Sequence, residues 1–509
     1  MVRKLFYLMA LLCCTESGLL AQSIGIFEGQ SRIGATTGKA VYEEQSQNYT
    51  LTSAGGNASV EDDPAYFLWR KIKGDFIITA NVKFIPTVAA NRYTKIGMMF
   101  RTGLDDHAKF IDVAKRGGQA AAMQYKTTVS GEVKSNVSNP DVMQLERRGN
   151  VFRMWVAKQG DPFTVDSTTI NYIEDEGYVG IFYVGAKTKG AAKVVFSNVR
   201  ITVPAKVGFK PYTDYIGSNI EILDLATKNR RVIYQYNKSI QAPNWTRDGK
   251  KLLYNQDDLL YTYDLATNKA TLLNTGDVKR NNNDHVISFN GKMLAISSFG
   301  PRGGPDNGRS IGYVVPITGG QPKRITTIAP SYIHSWSPDD KAIVFMSTRD
   351  GNSDIYSVSP EGGLETRLTT DPAYDDGCEY TPDGKYIYFN SARTGHMQIW
   401  RMKPDGSEQT QVTHSEFNDW FPHISPDGKW IVYISFLQNE VGPADHPFYR
   451  HVYLQRMPVN GGKPEVIAYL YGGQGTINTP SFAPDGKHLA FVSNTDLLFP
   501  LFPIEYQKK

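Results

Sequence analysis

A short turn recurs six times in the C-terminal half of this 509-residue chain, and no other feature of the sequence restricts the fold as tightly. The copies read Asn244-Trp-Thr-Arg-Asp-Gly-Lys250, Ile287-Ser-Phe-Asn-Gly-Lys292, Ser335-Trp-Ser-Pro-Asp-Asp-Lys341, Glu379-Tyr-Thr-Pro-Asp-Gly-Lys385, His423-Ile-Ser-Pro-Asp-Gly-Lys429 and Ser481-Phe-Ala-Pro-Asp-Gly-Lys487. Between the Asp or Asn of successive copies (248, 290, 339, 383, 427, 485) the spacings are 42, 49, 44, 44 and 58 residues. A period of that length is one supersecondary unit, too small to bury its own apolar surface, so the units must stack. Each turn separates two runs of alternating apolar residues, as in Ile424 before it and Trp430-Ile-Val-Tyr-Ile434 after it, which predicts a hairpin. A third strand, such as Gln398-Ile-Trp-Arg-Met402, and a short fourth complete each unit. Four-stranded sheets with two apolar faces are satisfied by radial closure, so a six-bladed β-propeller is expected over residues 212–498. The last copy has only two inner strands, whereas residues 220–234 read as two outer strands with no inner pair. The N-terminal strands of the propeller segment are therefore expected to close the ring.

These units resemble the WD40-like repeats of TolB-type propellers over about 290 residues. The resemblance implies the fold and, for function, a periplasmic protein of the Tol-Pal envelope system that binds partner proteins. The chain departs from that pattern in carrying a long N-terminal region. There, alternating strands at 75–84, 95–101, 151–156, 178–183 and 192–201 show no repeat. Their order resembles concanavalin A-like and laminin-G-like jelly rolls attached to bacterial carbohydrate-active proteins. The whole is thus expected to be all-β, with a jelly-roll-like β-sandwich at 22–203, a linker at 204–211, the propeller, and a tail at 499–509.

Residues 1–21 have a basic start at Arg3 and Lys4, an apolar run and a small residue, Ala21, which predicts a secretory signal peptide. The expected location is periplasmic or secreted; Leu12 and Cys13 sit where a lipoprotein would place small residues before Cys14, so lipid anchoring is not expected. No later stretch has the roughly 18 to 20 apolar residues of a membrane-spanning helix. The formal charge is +4, and removing Arg3, Lys4 and Glu16 (+2 and −1) leaves +3, too little for a nucleic-acid partner. Cys378 alone survives processing, so no internal disulfide is expected.

Propeller topology sends the residues that enter each inner strand to one rim. Asn283, Asp284, His285, His334, Asp376, Glu379, Trp420, His423 and Gln474 are therefore expected to converge, with Arg393 and His446 added by loops on the same face. Two chemistries fit these residue types. His285, His334 and His423, with acidic oxygens, could hold a divalent metal. Alternatively His285, His334, Glu379, Asp284 and Arg393 could serve as acids and bases in cleaving a glycosidic bond, by hydrolysis or by elimination beside a uronic acid. Asn283, Asp376, Trp420, His423, His446 and Gln474 would then bind the sugar. Oligogalacturonate lyases, metal-dependent propellers, offer a likeness of architecture without a residue-by-residue match. The expected partner is an oligo- or polysaccharide, bound or cleaved at the propeller mouth with the sandwich as an accessory carbohydrate-binding domain, and an enzyme here would be a glycoside hydrolase or polysaccharide lyase using a metal or not; the alternative is a non-catalytic, TolB-like periplasmic scaffold that binds proteins. Dinucleotide loops, a Gly-x-Ser-x-Gly elbow and Cys-x-x-Cys pairs are missing from the sequence.

Overall fold

The computed structural model describes residues 23–54, 64–85, 94–185, 193–210 and 212–496. The signal peptide expected at 1–21 and the tail at 499–509 lie outside the described residues. Every regular element among the described residues is a strand.

Each recurring turn builds its hairpin by the same local chemistry. In the fifth copy Asp427 Oδ1 accepts hydrogen bonds from Ser425 Oγ (2.6 Å) and Lys429 N (3.1 Å). Gly428 follows at φ 69°, a left-handed conformation that favours glycine. The strands on either side then pair in five antiparallel four-stranded sheets. Blade one runs from Ile240–Trp245 to Lys269–Leu272, blade two from Asn281–Ile287 to Lys323–Arg324, and blade three from Ser331–Trp336 to Thr366–Arg367. Blade four runs from Asp375–Tyr380 to Thr410–Gln411, and blade five from Asn418–Ile424 to Glu465–Gly472. A sixth sheet joins Gly217–Asp224 and Arg230–Tyr236 to His488–Thr495 from the other end of the segment. Its innermost position is a single bridge between Phe482 and Leu489 rather than a strand. Neighbouring blades are sewn together by buried side chains; Trp336 of blade three, for example, donates to the Val286 carbonyl of blade two at 3.0 Å.

Ahead of the propeller stand two seven-stranded antiparallel sheets. Leu68, Met98 and Val113 from one and Ile78, Leu145 and Met154 from the other enter a single hydrophobic core. The outward face of the second sheet leans on blades five and six. Gln47 exchanges two hydrogen bonds with the backbone of Val232, both 3.0 Å, and Arg200 reaches the fully buried Glu221 at 2.6 Å. On the other flank Val466 N donates to the Gly160 carbonyl at 2.9 Å.

One irregularity recurs in all five complete blades: the inner strand breaks register with its neighbour. The slips lie between Gln241 and Asn244, Asn281 and His285, Ile333 and Ser335, Asp376 and Glu379, and Trp420 and His423. Three of them turn on a residue at positive φ: Ala242 (55°), Gly377 (57°) and Phe421 (53°). At Gly377 a side chain would also collide with Asn390, 2.1 Å from where a Cβ would stand. A bulge re-aims the residues on either side of it, and these slips decide which side chains reach the axis.

Candidate functional site

The mouth of the propeller is a cavity of about 720 Å³. Residues in or just before the slips line it: Asn283, Asp284, His334 and Asp376 from the inner strands, joined by His446 and Gln474. Residues just after the slips do not. His285 rejoins the ladder opposite Ile296 and is fully buried, although it stands at the same distance from its turn as His334. Burial pushes its imidazole down to about 4, so it is neutral. Glu379 and His423 bond each other between blades four and five, with His423 Nδ1 2.6 Å from Glu379 Oε2 and the Ile424 amide 2.9 Å from Oε1. Trp420 is buried beneath the cavity, its ring 4.3 Å from that of His446. Arg393 is a strut inside blade four, paired with Asp375 at 2.9 Å and lying over Trp400. The rim expected from topology therefore loses five residues: His285, Glu379 and His423 because they stand just beyond a slip and rejoin the ladder, Trp420 because it packs against His446, and Arg393 because it is tied to Asp375.

The residues that remain form a charged centre. Asp376 is heavily supported: Oδ1 accepts from His334 Nε2 (2.9 Å) and Gly377 N (2.7 Å), and Oδ2 from Tyr374 OH (3.0 Å). His446 Nε2 stands 4.0 Å from the same Oδ2. Burial opposes its charge, but His334 and the other donors outweigh burial and hold this carboxyl below its usual range. His334 is raised in turn, because the bond and charge of Asp376 outweigh desolvation. Asp284 is the opposite case. It is 5% exposed, and its carboxylate accepts no hydrogen bond from any described residue. Burial first, then the charge of Asp376, pushes it up to about 7, with His334 opposing. Two carboxyls in one cavity thus differ in proton affinity, one held ionised and one close to half-protonated at neutral pH.

Around this centre the lining is amide and aromatic. Gln241, Asn255, Asn281 and Asn282 extend the set of amides, and Asn283 Nδ2 reaches no partner. Tyr212 and Tyr215 stand at the rim, 57% and 42% exposed, each edge-on to Phe448. Sequence reading missed these tyrosines, along with Tyr332, Tyr374, Asp258 and Arg280. The signal for Tyr332 and Tyr374 was present, since each lies in or beside an inner strand; that for Tyr212 and Tyr215 was not, because they come from the entering segment.

The expected metal set does not assemble. Both ring nitrogens of His423 are engaged, Nδ1 by Glu379 and Nε2 by the Ile477 carbonyl, and His285 is sealed off. Among the described residues no group of three or more His, Cys, Asp or Glu side chains is placed to hold a metal ion. No described helix is long and apolar enough to cross a membrane.

The profile of the TolB β-propeller domain matches residues 288–446. The uncharacterized protein Atu1656 of Agrobacterium fabrum is 43% identical over 289 residues, which are 57% of this chain and 94% of that protein. The solved structure of a putative TolB from Agrobacterium tumefaciens is 42% identical, with a TM-score of 0.52, and is covered completely by 56% of this chain. An oligogalacturonate lyase solved in complex with manganese is 15% identical with a TM-score of 0.34, over 55% of this chain and 90% of its own; that distance carries no functional weight.

Proposed function

Taking as premise that the chain belongs to the TolB β-propeller family, we propose that its propeller mouth is a saccharide site, with Asp284 and Asp376 equipped for acid–base cleavage of a glycosidic bond. One observation carries the reading: a buried carboxyl that accepts no hydrogen bond from any described residue opens into a cavity beside a second carboxyl held ionised. Environments that push two carboxyls apart in this way divide the acid and base roles between them. Amides suit hydroxyl recognition, and the exposed rings of Tyr212 and Tyr215 suit the apolar face of a sugar.

In a hydrolytic step the protonated Asp284 gives its proton to the glycosidic oxygen as that bond breaks. Asp376, oriented by His334 and Tyr374, takes a proton from the water whose oxygen bonds to the anomeric carbon. His334 stabilises the carboxylate before transfer through its 2.9 Å contact with Oδ1. On this reading residues 1–21 are a signal peptide and the protein works in the periplasm or outside the cell. The N-terminal sheets, proposed as a concanavalin A-like jelly roll over 22–203, serve as an accessory carbohydrate-binding unit, with 204–211 as linker and 212–498 as propeller.

Family membership also favours a second reading, a TolB-like scaffold that binds proteins without chemistry. The two separate cleanly. Wild type and Asp284→Asn are titrated calorimetrically with neutral and acidic oligosaccharides, and products are followed by chromatography. Saccharide cleavage by wild type and its loss in the variant support the first reading. Absence of both binding and cleavage across the panel refutes it.

A further inference from the structure

A second and larger cavity, about 860 Å³, lies between the N-terminal sheets and blade five. It and the mouth share one wall. Phe209 and Tyr449 line the cleft and pack edge-on at 4.8 Å, while their neighbours Tyr212 and Phe448 line the mouth and pack at 5.3 Å. The connection at 437–450, which carries His446, thus contributes to both spaces.

The floor of the cleft is the outward face of Val142–Arg148 and Val151–Ala157. Alternation sends Phe152 and Met154 into the core and leaves Arg153 and Trp155 on the cleft side. The acids deepest in the cleft are already satisfied. Glu146 accepts from Arg148 Nε at 2.7 Å and from Trp155 Nε1 at 2.9 Å. Glu440 accepts from His451 Nδ1 at 2.8 Å, and the His451 ring stacks on Trp155 at 4.6 Å. His451 Nε2 has no hydrogen-bond partner; the nearest acid, Glu146 Oε1, is 3.6 Å away.

The cations of the lining outnumber its acids, even with Glu440 feeling the charge of Arg450. Arg153, Lys206 and Arg450 line the same space, and none has a described carboxylate within ion-pair distance. Glu416 is the one acid of the cleft lining without a described cation partner. Phe163, Phe417 and Tyr453 supply ring surface between these charges. A small inorganic anion would leave the aromatic wall unused, and a neutral sugar would leave the cations unpaired. We propose that the cleft binds an acidic saccharide, in which carboxylate or sulfate groups meet Arg153, Arg450 and Lys206 while sugar rings lie against the aromatic wall. Planar guanidinium groups suit either acid, and the space is wide enough for several sugar rings. The proposal does not rest on cleavage in the mouth.

Calorimetric titration of the full chain tests it, with a hexameric oligouronate, a sulfated glycosaminoglycan hexamer, cellohexaose and hexaglutamate as probes. At least one acidic sugar binds wild type, and whichever binds identifies the acid group. Arg153→Ala and Arg450→Ala each weaken it about 10-fold, the size expected for one lost charged hydrogen bond. Lys206→Glu, on an exposed segment away from the sheets, weakens it as well and guards against loss of fold in the arginine variants. Asp284→Asn leaves this affinity unchanged, which separates the cleft from the mouth. Equal binding of cellohexaose or hexaglutamate overturns the proposal. So does acidic-sugar binding that ignores all three cations, or no binding at millimolar probe.

Discussion

Replacing Asp284 with Asn should make the protein more stable at alkaline pH, which is unusual for a change at a buried position. The carboxyl moves from an ordinary 3.8 to about 7, roughly three pK units, so keeping it ionised in the folded protein costs about 4 kcal/mol. An Asn in the same place carries no charge, but its buried amide loses hydrogen bonds to water at about 1 to 2 kcal/mol. The net gain is about 2 to 3 kcal/mol, or roughly 4 to 8 °C in melting temperature. The sign depends on pH. The folded carboxyl keeps its proton up to about pH 7, whereas the unfolded one releases it near 3.8, so the folded state binds more protons in between. The cost of Asp284 is therefore absent below about pH 4, grows between 4 and 7, and is complete above 7. Scanning calorimetry of wild type and Asp284→Asn from pH 4 to 8.5 should show the variant about 1 to 2 kcal/mol below wild type at the acid end, where only burial of the amide counts, and above it at the alkaline end, the two curves crossing in between. A variant that is less stable at pH 8, or a difference that does not change with pH, would mean that Asp284 is not held in the strained state described.

Three further perturbations follow from other parts of the fold. Glu221 is buried with Arg230 and Arg200 bonded to it at 2.5 and 2.6 Å, and these cations hold it well below the carboxylate range. Its stabilisation is present above about pH 4.5 and lost on acidification, so Glu221→Gln should cost about 3 to 5 kcal/mol at pH 7 in urea unfolding and flatten the acid limb of the stability profile. His423→Ala leaves Glu379 buried without its partner and should cost about 3 kcal/mol in the same assay, while saccharide affinity at the mouth stays as in wild type. Asp427→Ala removes the acceptor of one hairpin turn, which should lower stability by about 1 kcal/mol and leave the circular dichroism of the native state unchanged.

How far the sequence could be read divides along one physical line. The six turns specify hairpins through local hydrogen bonding, as Ser425, Asp427 and Gly428 do, and four-stranded units repeated at that period stack into a closed propeller; that part of the fold was therefore legible. Convergence of the inner-strand residues was legible to the same degree, since topology alone brings Asp284, His334 and Asp376 to one cavity. The aim of individual side chains was not. His285 and His334 occupy matching places relative to their turns, yet one is in the ladder and the other in the slip, because blade two loses register over Asn281 to His285 and blade three only around His334. No local pattern in the sequence marks that difference. Gly377 is the exception, a glycine where a Cβ would strike Asn390. Tyr212 and Tyr215 were invisible for a different reason: a segment outside the repeat folds back over the mouth, and its contact with Phe448 is tertiary.

Whether the mouth holds a sugar is decided by a crystal structure of the protein soaked with the oligosaccharide that binds it most tightly in calorimetry. Density is expected in the mouth, with a sugar oxygen in hydrogen-bond contact with Asp284 and a ring against Tyr212 or Tyr215. A sugar bound elsewhere with the mouth filled only by water would contradict it.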